Sequence, residues 1–177
     1  EQYAQSRTRD IAAMDALIRE LPARSGAVEP GGQHDVVALV HGDFRIDNLM
    51  WAKAEPRVLA VMDWELATLG HPLADLGYFC MALRLPRNPA LPGLAGLDRA
   101  ALGIPSEREL LARYAATTGR TIPADWGFVL AFSFFRLAAI AQGVAKRAAQ
   151  GNASSEQARQ AGQMVDLLAA SGLKSLG

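Results

Sequence analysis

The sequence predicts a mostly helical α+β fold. Its 177 residues are the length of one domain, which is enough to bury a single core. Several long stretches repeat apolar residues at helical spacing, whereas the β-branched and apolar runs that suit strands are only three to five residues long. Together these features predict about four to six helices and three or more short strands, with no internal repeat.

The first forty residues are predicted to form a helix, a loop and a strand. Residues 10–21 place apolar side chains at helical spacing, with Asp10 as N-cap and Pro22 as the point where the helix stops. Residues 22–35 are rich in glycine, proline and polar side chains, which is typical of a loop. Residues 36–40, VVALV, are a β-branched run that predicts a short buried strand.

The middle of the chain is predicted to form a β-hairpin followed by a helix. Two apolar runs, residues 49–51 and 58–62, flank the segment AKAEPR, whose proline and charges favour a turn. The pattern becomes helical over residues 73–83, and residues 84–105 then form a long loop containing several prolines and glycines.

Three capping signals divide the C-terminal part into helices, because Ser, Asp and Glu at these spacings satisfy the free N–H groups of a first helical turn. They are Ser106 with Glu109, Asp125 before Trp126, and Ser154 with Gln157. The second of them begins a long apolar stretch, residues 127–145, that carries Arg136 and Gln142 and is therefore predicted to be a buried helix of a soluble domain.

Charge and cysteine content limit the expected partners and location. Eighteen basic and eighteen acidic side chains cancel, which argues against a nucleic-acid or anionic membrane surface and favours a small molecule or a protein as partner. Cys80 is the single cysteine and is expected to fill space in the core. With no secretory pattern at the start, these features favour a cytoplasmic location.

Residues 41–48, HGDFRIDN, concentrate polar chemistry between two apolar runs. His41, Asp43 and Asn48 match H-x-D-x-x-x-x-N, and Asp63 stands fifteen residues after Asn48, at the end of the second hairpin strand. Because a hairpin folds back on itself, we expect Asp43, Asn48 and Asp63 to converge on one point.

Oxygen ligands that converge in this way suit Mg²⁺, which takes one or two protein oxygens and fills its remaining positions with water and phosphate. Asn48 and Asp63 are the predicted ligands. Phosphoryl transfer also needs a carboxylate that accepts the proton of the attacking hydroxyl, and Asp43 is the candidate base. Arg45 could contact the transferred phosphate, or it could form a surface ion pair with Asp47 or Glu65.

The stretch HGDFRIDN followed by DWE resembles the catalytic loop and metal-binding segment of the aminoglycoside phosphotransferase-like kinases, which are relatives of the protein kinases. The resemblance implies the C-terminal lobe of a protein-kinase-like fold, with short β-hairpins carrying the catalytic loop. It also implies ATP as phosphate donor, Asp43 as base, and Mg²⁺ on Asn48 and Asp63. In the following GHPLADLG, it implies that Asp75 braces the catalytic loop and that His41 supports it.

Further segments resemble the branch of this family that is joined to acyl-CoA dehydrogenases. They are MDALIREL, RVLAVMDWELATLGHPLADLGYFCMALRLP and FSFFRLAAIAQGVAKRAAQGNAS. This branch implies a hydroxyl on an acyl chain or acyl thioester as the phosphate acceptor.

The parts of the nucleotide site that belong to an N-terminal lobe have no counterpart in residues 1–177. The three lysines are Lys53 in the hairpin turn, Lys146 near a helix end and Lys174 in the tail, and no glycine-rich phosphate loop follows a strand. We therefore expect residues 1–177 to be the catalytic lobe, with a nucleotide-binding lobe ahead of Glu1 that packs on it. Alone, the fragment is expected to be inactive.

Two other functions remain open at this stage. One is a catalytically silent lobe that binds a ligand or a protein, although the presence of Asp43, Asn48 and Asp63 together argues against it. The other is a metal-dependent hydrolase that would use His41 and His71 with the aspartates as ligands. A separate prediction concerns Arg136, which is expected to be buried and paired with a carboxylate, Asp75 or Glu65 first.

Overall fold

The computed structural model describes residues 2–25, 36–87, 93–152 and 155–177, and the elements within these ranges are mostly helical. The helices are α1 (Gln2–Ser6), α2 (Ala12–Arg24), α3 (Leu73–Met81), α4 (Glu107–Thr118), α5 (Trp126–Arg147) and α6 (Ser155–Ser175). The strands are β1 (Ala38–Val40), β2 (Leu49–Trp51), β3 (Val58–Val61) and β4 (Thr68–Gly70). The predicted α+β, mostly helical class is confirmed.

Helix α5 lies at the centre of the packing, where it contacts α1, α2, α3 and α6. Its Leu130 and Phe134 are fully buried, as are Met14 and Leu17 of α2 and Leu168 of α6. In the part of the chain that the structure describes, α5 is the one helix long and apolar enough for a membrane span. Its packing against four other helices is what the prediction of a buried helix expects.

The four strands form two separate antiparallel pairs rather than one sheet. Strands β2 and β3 form the predicted hairpin, with Leu49 opposite Val61 and an irregular register between Met50 and Trp51. Strand β1 pairs with β4 over Ala38–Val40 and Thr68–Gly70. The strand β4 was not predicted, because TLG is too short to show a pattern and its partner lies about thirty residues away.

The prediction for the first long helix was wrong at both ends. Asp10 forms an ion pair with Arg7 and does not cap α2, whose N-cap residue Ile11 makes no side-chain cap bond. Pro22 lies inside the helix, which continues to Arg24. A proline removes one backbone hydrogen bond, and here the last turn is also held by the bond from Arg24 to the carbonyl of Leu176 (2.7 Å).

Two of the predicted caps are confirmed. The Ser106 hydroxyl accepts a hydrogen bond from the backbone N–H of Glu109 (3.3 Å), and the Glu109 carboxylate accepts one from the N–H of Ser106 (2.7 Å). Asp125 accepts a bond from the N–H of Phe128 (3.1 Å) and begins α5. The third signal, at Ser154, falls outside the described residues, as do residues 26–35 of the predicted first loop and 88–92 of the second.

Candidate active site

The segment 41–48 runs from the end of β1 to the start of β2, and a glycine sets its shape. Gly42 has φ of +82°, a conformation that side chains rarely tolerate. A Cβ atom at this position would lie 2.6 Å from the carbonyl oxygen of Leu66. The absence of a side chain therefore lets residues 41–43 approach the segment that follows Asp63.

Asp75, in the first turn of α3, holds this backbone from one side. Its carboxylate accepts hydrogen bonds from the backbone N–H of His41 (2.6 Å) and from that of Gly42 (2.9 Å). Bonds of this kind to an ionised carboxylate are stronger than those between neutral groups. Asp75 thus ties α3 to the two residues immediately before Asp43.

His41 joins the two halves of the site through its ring, which is buried. Its Nδ1 accepts a hydrogen bond from the N–H of Asp43 (3.2 Å), which assigns the proton to Nε2. Nε2 lies 2.6 Å from the carbonyl oxygen of Met62 and donates to it. The ring also contacts that of Trp64, with centroids 4.8 Å apart. Both ring nitrogens are therefore engaged by the protein itself.

Asp43 and Asn48 are in direct contact, as the motif predicted. Asn48 is buried, and its Nδ2 donates to the Asp43 carbonyl (2.9 Å) and to Asp43 Oδ2 (3.0 Å). The amide therefore orients the carboxylate, which also faces the Tyr78 hydroxyl. Because Nδ2 is the donor, Oδ1 of Asn48 is left as a ligand for a cation.

Asp63 lies next to Asn48 across the hairpin. The N–H of Met62 donates to the carbonyl of Asn48 (2.8 Å), so Asp63 follows directly after the residue paired with Asn48. Asp63 has a left-handed backbone, with φ of 60° and ψ of 52°, which costs a non-glycine residue about 1 kcal/mol or more. Its carboxylate is exposed and makes no hydrogen bond or ion pair with any described residue.

The donor atoms of Asn48 and Asp63 fit Mg²⁺ by their chemistry. One amide oxygen and one unpaired carboxylate match the hard oxygen ligands and the small number of protein ligands that this ion takes. A zinc site would instead need three or four His, Cys, Asp or Glu ligands. Within the described residues, no such cluster of three or more is present.

The contacts of the two histidines argue against the hydrolase alternative. The ring nitrogens of His41 are both occupied, as described above. His71 accepts a hydrogen bond at Nδ1 from the backbone N–H of Leu73 (3.2 Å), which helps to begin α3. Both ring nitrogens of His41 and Nδ1 of His71 are therefore engaged by the protein itself.

Arg45 lies at the edge of the site and forms an ion pair with Asp47 (3.0 Å). The two side chains are 43% and 64% exposed, so water screens this pair and it contributes under about 1 kcal/mol. Such a weak pair can open when a phosphate arrives. The phosphate contact predicted for Arg45 stays a prediction.

A cavity of about 230 Å³ opens beside Arg45. Its walls are mainly apolar and include Ile46, Tyr78, Phe79, Leu85 and Leu137. The cavity lies near Asp43, because Tyr78 lines it and the Asp43 carboxylate faces the Tyr78 hydroxyl. Burial, and then Asp43, raise the pKa of Tyr78 to about 12.

The predicted carboxylate partner of Arg136 was wrong. Its guanidinium donates to the carbonyl oxygen of Gly42 and lies 5.8 Å from the centre of the Tyr78 ring. The carboxylate of Asp75 is already engaged by two backbone N–H groups, and Glu65 is exposed. Sequence reasoning missed Tyr78 as a neighbour of Asp43; the one available signal was its position three residues after Asp75 on the same helix.

Comparisons with known proteins agree with the site. The profile of the Phosphotransferase enzyme family (APH) matches residues 1–116. The crystal structure of a candidate aminoglycoside phosphotransferase from Ralstonia eutropha is similar to this chain, with a TM-score of 0.89 and 48% identity. The similarity covers 99% of this chain and 52% of that one. These matches confirm the predicted kinase-like C-terminal lobe.

Two curated relatives carry the name expected from the resemblance. Acyl-CoA dehydrogenase family member 10 of Mus musculus is 45% identical over 170 residues, which are 96% of this chain and 15% of the relative. Acyl-CoA dehydrogenase family member 11 of Homo sapiens is 38% identical over 179 residues, 98% of this chain and 22% of the relative. The predicted resemblance to this branch is confirmed, and the chain spans less than a quarter of either relative.

Proposed function

We propose that this chain, which belongs to the phosphotransferase enzyme family, is the catalytic lobe of an enzyme that transfers the terminal phosphate of ATP to a hydroxyl of a small molecule. The observation that carries the proposal is the contact of Asn48 with the Asp43 carboxylate, together with the position of Asp63 directly after the residue whose N–H donates to the Asn48 carbonyl. A base and two oxygen ligands placed this closely are the parts that phosphoryl transfer requires of a protein.

In this mechanism, Asp43 accepts the proton of the attacking hydroxyl through the carboxylate oxygen that Asn48 does not bind. Asn48 and Asp63 would hold Mg²⁺, which screens the negative charge of the phosphates. Arg45 would leave Asp47 and place its guanidinium on the transferred phosphate, where two parallel hydrogen bonds can form. His41 and Asp75 keep the catalytic loop in the shape that these contacts need.

The nucleotide would lie between this lobe and an N-terminal lobe, which we place ahead of residue 1. The three lysines of the chain are far in sequence from the catalytic loop or lie in the hairpin turn, so a nucleotide-pairing lysine would have to come from that lobe. Large apolar side chains of the strands are exposed and offer it a surface, notably Leu39, Leu59 and Leu69.

The proposed acceptor is a hydroxyacyl compound, either a hydroxy acid or its thioester. The cavity beside Arg45 and Tyr78 supports this choice, because its apolar walls suit an alkyl chain better than a polycationic sugar. The names of the curated relatives, which are acyl-CoA dehydrogenase family members, support it independently.

The test is an ATP-consumption screen of the full-length protein with Mg²⁺ against hydroxy acids, their thioesters and aminoglycosides. Asp43→Asn should lower kcat by on the order of 10²-fold to 10⁴-fold, because it removes the proton acceptor without changing the size of the side chain. Asp10→Asn, at a carboxylate 93% exposed and paired with Arg7, is the matched control and should keep full activity.

Three results would count against the proposal in different ways. Unchanged turnover in Asp43→Asn would exclude Asp43 as the base. Phosphorylation of aminoglycosides alone would exclude the hydroxyacyl acceptor. Nucleotide binding without consumption of ATP under any condition would favour the silent lobe, in which the same residues bind but do not react.

A further inference from the structure

The backbone of Gly42 is held from two helices at once. Its N–H donates to Asp75 of α3 (2.9 Å), and its carbonyl accepts a hydrogen bond from Arg136 of α5. Both groups belong to the backbone of Gly42, the residue directly before Asp43. Helix α5 therefore contacts the catalytic loop directly, across 94 residues of sequence.

Tyr78 lies on the other side of the Arg136 guanidinium. The centre of the guanidinium is 5.8 Å from the ring centroid, within the range of a cation–π contact. Tyr78 also contacts the core formed by α2, α5 and α6, so its ring has a fixed support. The charged groups that face its hydroxyl are Asp43, Arg45 and Arg136, one of which is the candidate base.

We propose that Arg136 is a positioning residue for Asp43, and that Tyr78 is the support on which its guanidinium lies. The inference rests on the proposed function and extends it to a residue of α5 outside the catalytic motif. Arg136 fixes the Gly42 carbonyl, and with Asp75 on the N–H this sets the direction in which the next residue, Asp43, projects. The Tyr78 ring keeps the guanidinium in place, and its hydroxyl borders the space where the acceptor hydroxyl approaches.

The first test compares Arg136→Met with Arg136→Lys in the full-length enzyme. Methionine keeps an unbranched apolar stem but removes the guanidinium and leaves the Gly42 carbonyl unpaired, so kcat should fall by about 10²-fold through misplacement of the base. KM for ATP and for the acceptor should each change by less than about threefold, since Arg136 binds neither. Lysine restores one hydrogen-bond donor, so kcat of Arg136→Lys should be at least about tenfold higher than kcat of Arg136→Met.

Matched variants separate this role from a general loss of packing. Arg147→Met changes an exposed arginine in the last turn of the same helix and should leave kcat unchanged. Tyr78→Phe keeps the ring beneath the guanidinium and should lose less than Arg136→Met. Tyr114→Phe, at a half-buried tyrosine of α4, should have no effect on kcat.

A second measurement tests the inference even where turnover is not observed. Amide hydrogen exchange of the peptides covering residues 39–49 should be faster in Arg136→Met, intermediate in Arg136→Lys and unchanged in Arg147→Met. Peptides from α6 should keep their protection in all three. Unchanged exchange at residues 39–49 in Arg136→Met would overturn the inference, whereas a wild-type enzyme without activity would overturn only the proposed function. Equal losses of kcat in the Met and Lys variants, with lower protection throughout, would assign Arg136 a packing role alone.

Discussion

The helical base, formed by α1, α2, α5 and α6, differs sharply from the strand face, formed by β1–β4. In the base, Met14, Leu17 and Phe134 are all 0% exposed. In the strand face, Leu39 is 63% exposed and Leu69 is 73% exposed. The centre of the base thus holds fully buried apolar side chains, whereas large apolar side chains of the strand face lie open to solvent.

This difference indicates that the two regions are held by different forces. The base is stabilised by apolar burial, which scales with the area removed from water. The catalytic segment next to the strand face is held by a few polar contacts that reach it from the helices, chiefly those of Asp75 and Arg136. Stability and activity should therefore respond to different substitutions.

The largest expected effect on stability is in the helical base. Phe134→Ala should lower the free energy of unfolding by about 3–5 kcal/mol, because it leaves a cavity in the centre of the core. Chemical denaturation of the lobe measures this loss of stability. The control is Phe132→Ala, at a side chain 42% exposed on the same helix, which should lose less. A small loss at Phe134 would contradict the idea that this core carries the stability.

An intermediate and local effect is expected where the two regions meet. Asp75→Asn removes the negative charge of the carboxylate that accepts hydrogen bonds from two backbone N–H groups. It should cost about 1.5–3 kcal/mol of local stability. Amide exchange at His41 and Gly42 should rise by a corresponding factor, while exchange in α5 and α6 changes little. Asp166→Asn, at a half-exposed partner of Arg9, is the control. Uniformly faster exchange would show that the regions are not separable.

The smallest effect is expected in the strand face. Leu69→Ser should change the free energy of unfolding of the isolated lobe by under about 0.5 kcal/mol, because the side chain buries little surface. The same substitution in the full-length protein should cost more, if the proposed N-terminal lobe packs on this face. A loss above about 1 kcal/mol in the isolated lobe would break the comparison.

The features that were predictable from sequence are those with local causes. The capping box of Ser106 and Glu109 lies within one turn, and the hairpin joins two runs separated by a short turn. The contact of Asp43 with Asn48 likewise arises within six residues and follows from the spacing of the motif. In these cases the partner of each group is fixed by the chain itself.

The features that escaped prediction have partners far along the chain. Strand β4 forms because β1 supplies its hydrogen bonds. Arg136 donates to a carbonyl rather than to a carboxylate because Asp75 is already engaged by two backbone N–H groups. Helix α2 passes Pro22 because contacts at its end with the C-terminal residues compensate for a missing bond. Tertiary contacts override local preference in each instance.

The missing side chain at Gly42 has an effect beyond the turn that it permits. Because that residue lies against the Leu66 carbonyl, the segment that leads into Asp43 and the segment that follows Asp63 touch without an intervening layer. A single added methyl group would push these segments apart and change the spacing between Asp43 and Asp63. Residue 42 therefore controls the geometry of both segments at once.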